Sequence, residues 1–215
     1  MPVAVIADII GSRALPDRSA AQREFARLFA EVEEAMPLAA EPLRATVGDE
    51  FQAVYPTLDA ALAALLLIQL VLPDELGLRF GVGVGEVRAV TGADTALQDG
   101  PGWWAARDAI DIVDARQQRA MPSTRTWIVG GDDHDGRMSD AIDTANAYVL
   151  LRDQLVTGMT ARERRLTYGR CLGQTQKALA AAEGITQSAV SQALQNAGAV
   201  AVVAGFEILR DRAAA

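Results

Sequence analysis

Between Leu43 and Tyr55 the chain reads LRATVGDEFQAVY, and no other stretch restricts the possible folds as much. Leu43, Ala45 and Val47 alternate with polar residues before a break, and Phe51, Ala53 and Tyr55 do so after it. A period of two puts the apolar side chains of a strand on one face. The break, Val47-Gly48-Asp49-Glu50, includes a glycine that reaches positive φ without steric penalty. The spacing therefore predicts a type II′ hairpin with Gly48 at its first central position and Asp49 at the tip. Aspartate is common in turns for purely local reasons, so alone it identifies no function.

A second carboxylate gives Asp49 a context. Val3-Ala4-Val5-Ile6-Ala7 is an uncharged apolar strand ending at Asp8, and Ile9-Ile10-Gly11-Ser12 follows before a helix. With that strand beside the hairpin, Asp8 and Asp49 would project from neighbouring strand ends and hold one or two divalent cations. Mg²⁺, or Mn²⁺ in its place, suits such a pair, because Mg²⁺ favours one or two carboxylates plus substrate phosphates over an all-protein cage. Backbone N–H groups from Ile9 through Ile10, Gly11 and Ser12, leading into a helix N-terminus, would face those phosphates.

A chain of 215 residues that is 50% hydrophobic can bury a substantial core as one large or two small domains. The longest apolar run, Ala60 to Ile68, is far short of a membrane span, and no basic segment precedes an apolar one at the start, so a cytoplasmic, membrane-free protein is expected. The lone cysteine, Cys171, allows no internal disulfide. The lone histidine, His134, sits in a polar acidic turn and receives no role. Net charge is −8 and uneven: residues 150–215 hold eight Lys/Arg against five Asp/Glu, a balance of +3 that leaves −11 on the first 149. An acidic front with a basic tail suits a sensor or catalytic part joined to one that binds nucleic acid.

In chain order, Ser19 to Gln22 has capping-box spacing and opens a helix carrying Phe25, Leu28, Phe29, Val32 and Met36, closed by Pro37. Leu58 to Leu72 is apolar on nearly every face and predicts a buried helix. Leu78 to Val90 alternates Gly81, Gly83 and Gly85 with Phe80, Val82 and Val84, a strand whose bare face admits either a ligand or a tightly packed helix. Gly100-Pro101-Gly102 feeds a helix through Trp103, Trp104 and Arg107 to about Arg119, and Arg125 to Val129 reads as a last strand. The tryptophans either stack on a base or anchor the helix. A boundary is expected near residue 136.

Beyond it, Ser139 to about Val156 predicts a connecting helix with Ile142, Tyr148, Val149, Leu151 and Leu155 on its apolar side. Thr160 to Glu163 is a capping box opening a helix to about Leu172. Thr175 to Ala182 and Thr186 to Gln195, separated by Glu183-Gly184, have helix-turn-helix spacing, with Ala180 at the crossing and Ile185, Val190 and Leu194 inward. Gln187, Ser188, Ser191, Gln192 and Gln195 on the second helix suit base edges, and Lys177, Arg164 and Arg165 suit phosphates. An ordinary helical pair used for dimerisation is the alternative, and nucleic-acid binding is the favoured reading. Ala199 to Leu209 is either a packing helix or a wing.

IADIIGSR and ATVGDEFQAV resemble the two metal-binding motifs of class III nucleotidyl cyclases, and the second is also similar to the diguanylate cyclase hairpin. The resemblance implies a ferredoxin-like palm in which Asp8 and Asp49 bind metal, Ile9 adds a backbone carbonyl, and sites form between two subunits. It implies that Arg107 matches the arginine that contacts phosphates in the transition state. Trp103 stands where those enzymes carry an asparagine, and Ala45 where a lysine selects adenine. With GPGWWAAR and TQKALAAAEGITQSAVSQAL, the chain resembles the SatD family over nearly its whole length.

The expected fold is α+β: a ferredoxin-like, palm-type, nucleotidyl-cyclase-like domain at residues 1–136, then an all-α connecting helix and helix-turn-helix domain at 137–215. The expected function is a homodimeric DNA-binding regulator with a nucleotide and Mg²⁺ sensor. A working cyclase or related transferase is the rival, and an inert scaffold with vestigial aspartates is the third possibility.

Overall fold

Charge-free β-branched residues at the start of the chain form the strand that organises the sheet. In the computed structural model, which describes residues 1–46, 48–89, 98–132 and 136–215, β1 (Val3–Ile9) lies at the centre of five strands. Around it run α1 (Arg18–Ala35), β2 (Glu41–Ala45), β3 (Glu50–Tyr55), α2 (Leu58–Val71) and β4 (Leu78–Val84), with strand order β2-β3-β1-β4 and antiparallel pairing throughout. That order and sequence of elements is the ferredoxin-like split βαβ. A short ribbon of β5 (Arg88–Ala89) and β6 (Gln98–Asp99) precedes α3 (Pro101–Arg119), and β7 (Thr126–Gly130) joins the sheet parallel to β4.

The two faces of β1 have different partners. Val3, Val5, Ala7 and Ile9 point to the face covered by α1 and α2, while Ala4 and Ile6 pack with Val54 under Trp103, Ala106 and Ile110 of α3. Gly81 and Gly83 share the α3 face. A Cβ on Gly83 would lie 1.9 Å from the carbonyl oxygen of Gly102, and one on Gly81 would lie 2.2 Å from that of Ala106. The bare strand therefore admits a helix backbone, which settles the alternative left open by its composition.

Helix α2 is buried on nearly every side, as its all-round apolar sequence predicts. One face lies on the sheet and the other is covered by α5 (Ala161–Cys171) and α8 (Ala199–Ala213). One hydrophobic cluster consequently runs from Val3 to Phe206. Ala199 to Leu209 belongs to α8, so this segment is a packing helix and not a wing.

Helix α4 (Gly136–Gly158) covers the outer edge of β7 with polar side chains. The Asn146 amide accepts from Ile128 N–H and donates to Ile128 C=O, both at 2.9 Å. Asp153 Oδ2 accepts from the N–H groups of Arg125 (2.7 Å) and Thr126 (2.8 Å). Backbone groups that an edge strand would offer to another chain are thus satisfied from within. Asn146, Arg152 and Asp153 take buried positions, so the expected apolar face is only partly correct: Ile142 and Val149 are buried, whereas Leu151 and Leu155 face outward.

Two local expectations change. Asp17, not Ser19, caps α1 by accepting from Ala20 N–H at 2.9 Å, and Gln22 reaches across to the Gly48 carbonyl. In the hairpin, Ala45 pairs with Phe51 and Thr46 N–H donates to Glu50 C=O at 3.0 Å, so three residues form the loop where a type II′ turn has two. Gly48 does adopt positive φ, 74°. Val47, Val90 and His134 lie outside the described residues.

Candidate metal and nucleotide site

Register brings the acidic side chains together. Asp8 pairs with Glu50 on β3 and with Arg79 on β4, all on the α3 face, and Asp49 immediately precedes Glu50 at the hairpin tip. Asp8 is 31% exposed at its side chain. Burial, the largest influence, raises its carboxyl above the ordinary value. The Arg79 guanidinium opposes this, while Asp49 and Asp114 add to it by charge repulsion, so Asp49 is near enough to be felt at Asp8. Gln22 of α1 holds the hairpin tip at Gly48, next to Asp49.

Cationic side chains reach the same rim. Arg107 on α3 donates to Glu50 Oε2 at 2.7 Å, and this hydrogen bond above all raises the guanidinium pKa, helped by the charges of Asp111 and Asp8. Glu50 Oε1 accepts from Gln52 Nε2 at 2.9 Å. Arg79 pairs closely with Asp114 of α3, and its Nη1 lies 3.6 Å from Asp8 Oδ2. None of the sequence motifs gives a role to Arg79, Glu50 or Asp114, and the fold brings them to the rim. Arg79 stands two residues before Gly81, so period-two alternation alone would have put it on the glycine face beside Asp8.

Of the residues expected to bind nucleotide, the two tryptophans and Ile10 line different cavities, and Gly11 and Ser12 line neither. Trp103, Trp104, Arg107, Ile6, Gln52, Gln98 and Asp108 line a cleft of about 360 Å³. Trp103 is 8% exposed and packs on Ala4, Ile6 and Val54, and its indole N–H is buried without a partner among the described residues. Trp104 is 60% exposed and donates through Nε1 to Asp99 Oδ1 at 2.9 Å. One tryptophan therefore anchors the helix while lining the cleft, and the other stands open.

Ile10 lines a different cavity of about 350 Å³, with Gln69, Arg125 and Arg164. Its N–H is already committed to Gly77 C=O at 2.9 Å. Gly11 and Ser12 lead not into α1 but into a three-residue 3₁₀ turn, Ser12–Ala14. The first turn of α1 is capped by the Asp17 carboxylate, which would repel phosphate. Of the expected phosphate donors, the N–H groups of Gly11 and Ser12 have no acceptor among the described residues.

As a cation site the rim offers two carboxylates with mutually unfavourable charges, Asp8 and Asp49, and Ile9 continues the strand between them and the loop. Among the described residues no three His, Cys, Asp or Glu side chains gather to hold a metal. That donor set fits a hard cation completed by ligand oxygens and water, as Mg²⁺ prefers, and not a closed protein cage.

At the other end, α6 (Gln176–Glu183) and α7 (Gln187–Asn196) form a helix-turn-helix, with Thr175 and Thr186 as N-caps and Gly184 ending α6. Ala180, Val190 and Leu194 are buried, and Gln187, Ser188, Gln192, Gln195 and Lys177 are exposed, with Ser191 half-buried. Arg164 and Arg165, expected at phosphates, are engaged elsewhere. Arg164 donates to Met159 C=O (2.9 Å) and Leu72 C=O (3.2 Å) and pairs with Asp74. Arg165 makes a two-pronged pair with Glu183 at 2.7 and 2.8 Å.

No single helix among the described residues is long and apolar enough to cross a membrane. No curated protein matches the chain. Among solved structures, an adenylate cyclase of Trypanosoma brucei studied in its monomeric state aligns at 20% identity and a TM-score of 0.41, over 52% of this chain and 69% of its own. The SatD family model matches residues 2–205, and the chain belongs to that family.

Proposed function

We propose that this SatD-family protein is a nucleotide-responsive DNA-binding regulator, in which Asp8 and Asp49 hold Mg²⁺ or Mn²⁺ and the α6–α7 pair docks in a major groove. The carrying observation is the strand register that sets Asp8 opposite Glu50, the residue next to Asp49, with Arg107 paired to Glu50 on the same rim, beside a cleft floored by Trp103. A bound cation would supply charge neutralisation for nucleotide phosphates. Arg107 would orient them from α3, the N–H groups of Gly11 and Ser12 would face them, and Trp104 would offer an aromatic surface to a base. Ile9 would contribute its carbonyl and Ile10 only the support of the loop.

The output side rests on the exposed amide and hydroxyl side chains of α7, which suit base edges. Lys177 is the only Lys or Arg in α6 and α7, so a single copy would neutralise few phosphates and bind weakly. Two copies on a two-fold operator would double that number, which agrees with a homodimer. Helix α2 lies between the sheet and α5 with α8, giving the two ends of the protein a shared packing element.

The test pairs two assays on purified protein. Incubation with ATP or GTP and Mg²⁺ or Mn²⁺ is expected to release no pyrophosphate, whereas steady release would make the protein a cyclase or related transferase using Arg107. A mobility shift on the protein's own promoter is expected to be salt-sensitive and lost in Gln187→Ala/Gln192→Ala. Unchanged binding by that variant would remove α7 as the recognition helix.

A further inference from the structure

We propose that Arg79 is a built-in competitor for the cation at Asp8, and that Asp114 sets the strength of that competition by drawing the guanidinium away. This rests on the reading of Asp8 and Asp49 as cation ligands and adds a regulator of their affinity. Strand register fixes Arg79 directly opposite Asp8 on the α3 face. Its side chain is 16% exposed, so solvent weakly screens it. The guanidinium is bound unequally: it pairs closely with Asp114 Oδ1, while Nη1 remains 3.6 Å from Asp8 Oδ2.

Asp114 is itself held in place. Its Oδ2 accepts from Gln118 Nε2 at 2.7 Å, one helical turn further along α3. Arg79 Nε is buried without an acceptor among the described residues, so the guanidinium is not locked by a full set of bonds. Repulsion from the neighbouring Arg125 acts on it from the β7 side. A small shift from Asp114 towards Asp8 would place a positive group against the carboxylate that the metal needs. With Asp114 charged, Arg79 stays back and Asp8 remains available. Any movement of α3 relative to β4 would alter this division, so the helix that carries Arg107 also governs the affinity of the cation site.

Two substitutions then act in opposite directions. Arg79→Gln removes the competitor and should tighten Mn²⁺ binding about tenfold, as expected for deleting a unit charge near a partly screened carboxylate. Asp114→Asn releases Arg79 towards Asp8 and should weaken Mn²⁺ binding by about the same factor. The decisive comparison is Asp114→Asn in the Arg79→Gln background, where its effect should shrink to less than about twofold because its route of action is gone. Arg79→Lys, which keeps the charge, should stay within about threefold of wild type.

Mn²⁺ affinity is read by electron paramagnetic resonance on the full chain, without nucleotide, and thermal melts in chelator confirm that each variant is folded. An unchanged affinity in folded Arg79→Gln overturns the proposal, as does an equal Asp114→Asn effect with and without Arg79, which would mark a diffuse field effect. If wild type and Asp8→Ala respond identically to Mn²⁺, the cation reading itself fails, a result separable from either of these.

Discussion

Replacing Gly83 with alanine probes the contact that brings α3, and Arg107 with it, to the rim. A Cβ there would lie 1.9 Å from the Gly102 carbonyl oxygen and 2.4 Å from the Ala106 amide nitrogen, both backbone atoms of α3. Ordinary contact begins at 3.4 Å, and no rotamer change relieves a clash between backbones, so α3 must retreat by about 1.5 Å. A gap of roughly 0.5–1 Å already forfeits a quarter to a half of the dispersion energy across a contact. Overpacking generally destabilises by about 1–3 kcal/mol, and a clash with two backbone atoms puts Gly83→Ala at the upper end, about 3 kcal/mol. Urea unfolding followed by tryptophan fluorescence measures this directly, because Trp103 and Trp104 sit on α3. Gly158→Ala is the control: its Cβ meets open space, and its stability should change by less than about 1 kcal/mol. A Gly83→Ala protein within about 0.5 kcal/mol of wild type would refute the close approach of helix and strand.

Other substitutions probe the packing that joins the two ends. Asp153 is fully buried and holds Arg152, Gln69 and two backbone N–H groups, so Asp153→Asn should destabilise the chain by about 3–5 kcal/mol in chemical denaturation. Arg164→Ala should lower the melting temperature through loss of its Leu72, Met159 and Asp74 contacts while leaving any DNA shift intact, and Lys177→Ala should do the reverse. Burial pushes the Cys171 thiol from 9.0 up to about 12. Native protein at pH 8 should therefore resist a thiol reagent that reacts fully in urea. Its contribution to stability should be present below pH 9 and decline towards pH 12, because the unfolded thiol ionises first.

Much of the fold was legible because local chemistry and tertiary packing agree. The uncharged run at Val3, the apolar cylinder of α2 and the Thr160 capping box each have one stable use, and each takes it. Elsewhere the local signal admits two answers. Asp17 and Ser19 are both competent N-caps two residues apart, and the choice leaves Gln22 free to hold the hairpin tip. Glycines at 81 and 83 suit a ligand or a helix equally, and only the three-dimensional neighbour decides. On α4, hydropathy puts Leu151 inside and Arg152 outside, but the edge of β7 calls for hydrogen-bonding groups and reverses that order.

The candidate site shows the same division. Asp8 and Asp49 can be picked out because one ends an uncharged apolar run and the other sits at the tip of an alternating hairpin, yet the pairing of Arg79 with Asp114 depends on where α3 crosses β4. Ile10 looked equivalent to Gly11 and Ser12, but its N–H belongs to Gly77. Arg164 and Arg165 read as surface cations, and their actual partners lie 90 and 18 residues away.

A crystal soaked in Mn²⁺ and collected at the manganese absorption edge measures the cation site itself. The account predicts an anomalous peak between Asp8 and Asp49, about 2.0–2.3 Å from an oxygen of each, with Arg79 still on Asp114. A peak at another group of carboxylates, or none there in the presence of nucleotide and saturating Mn²⁺, would contradict it.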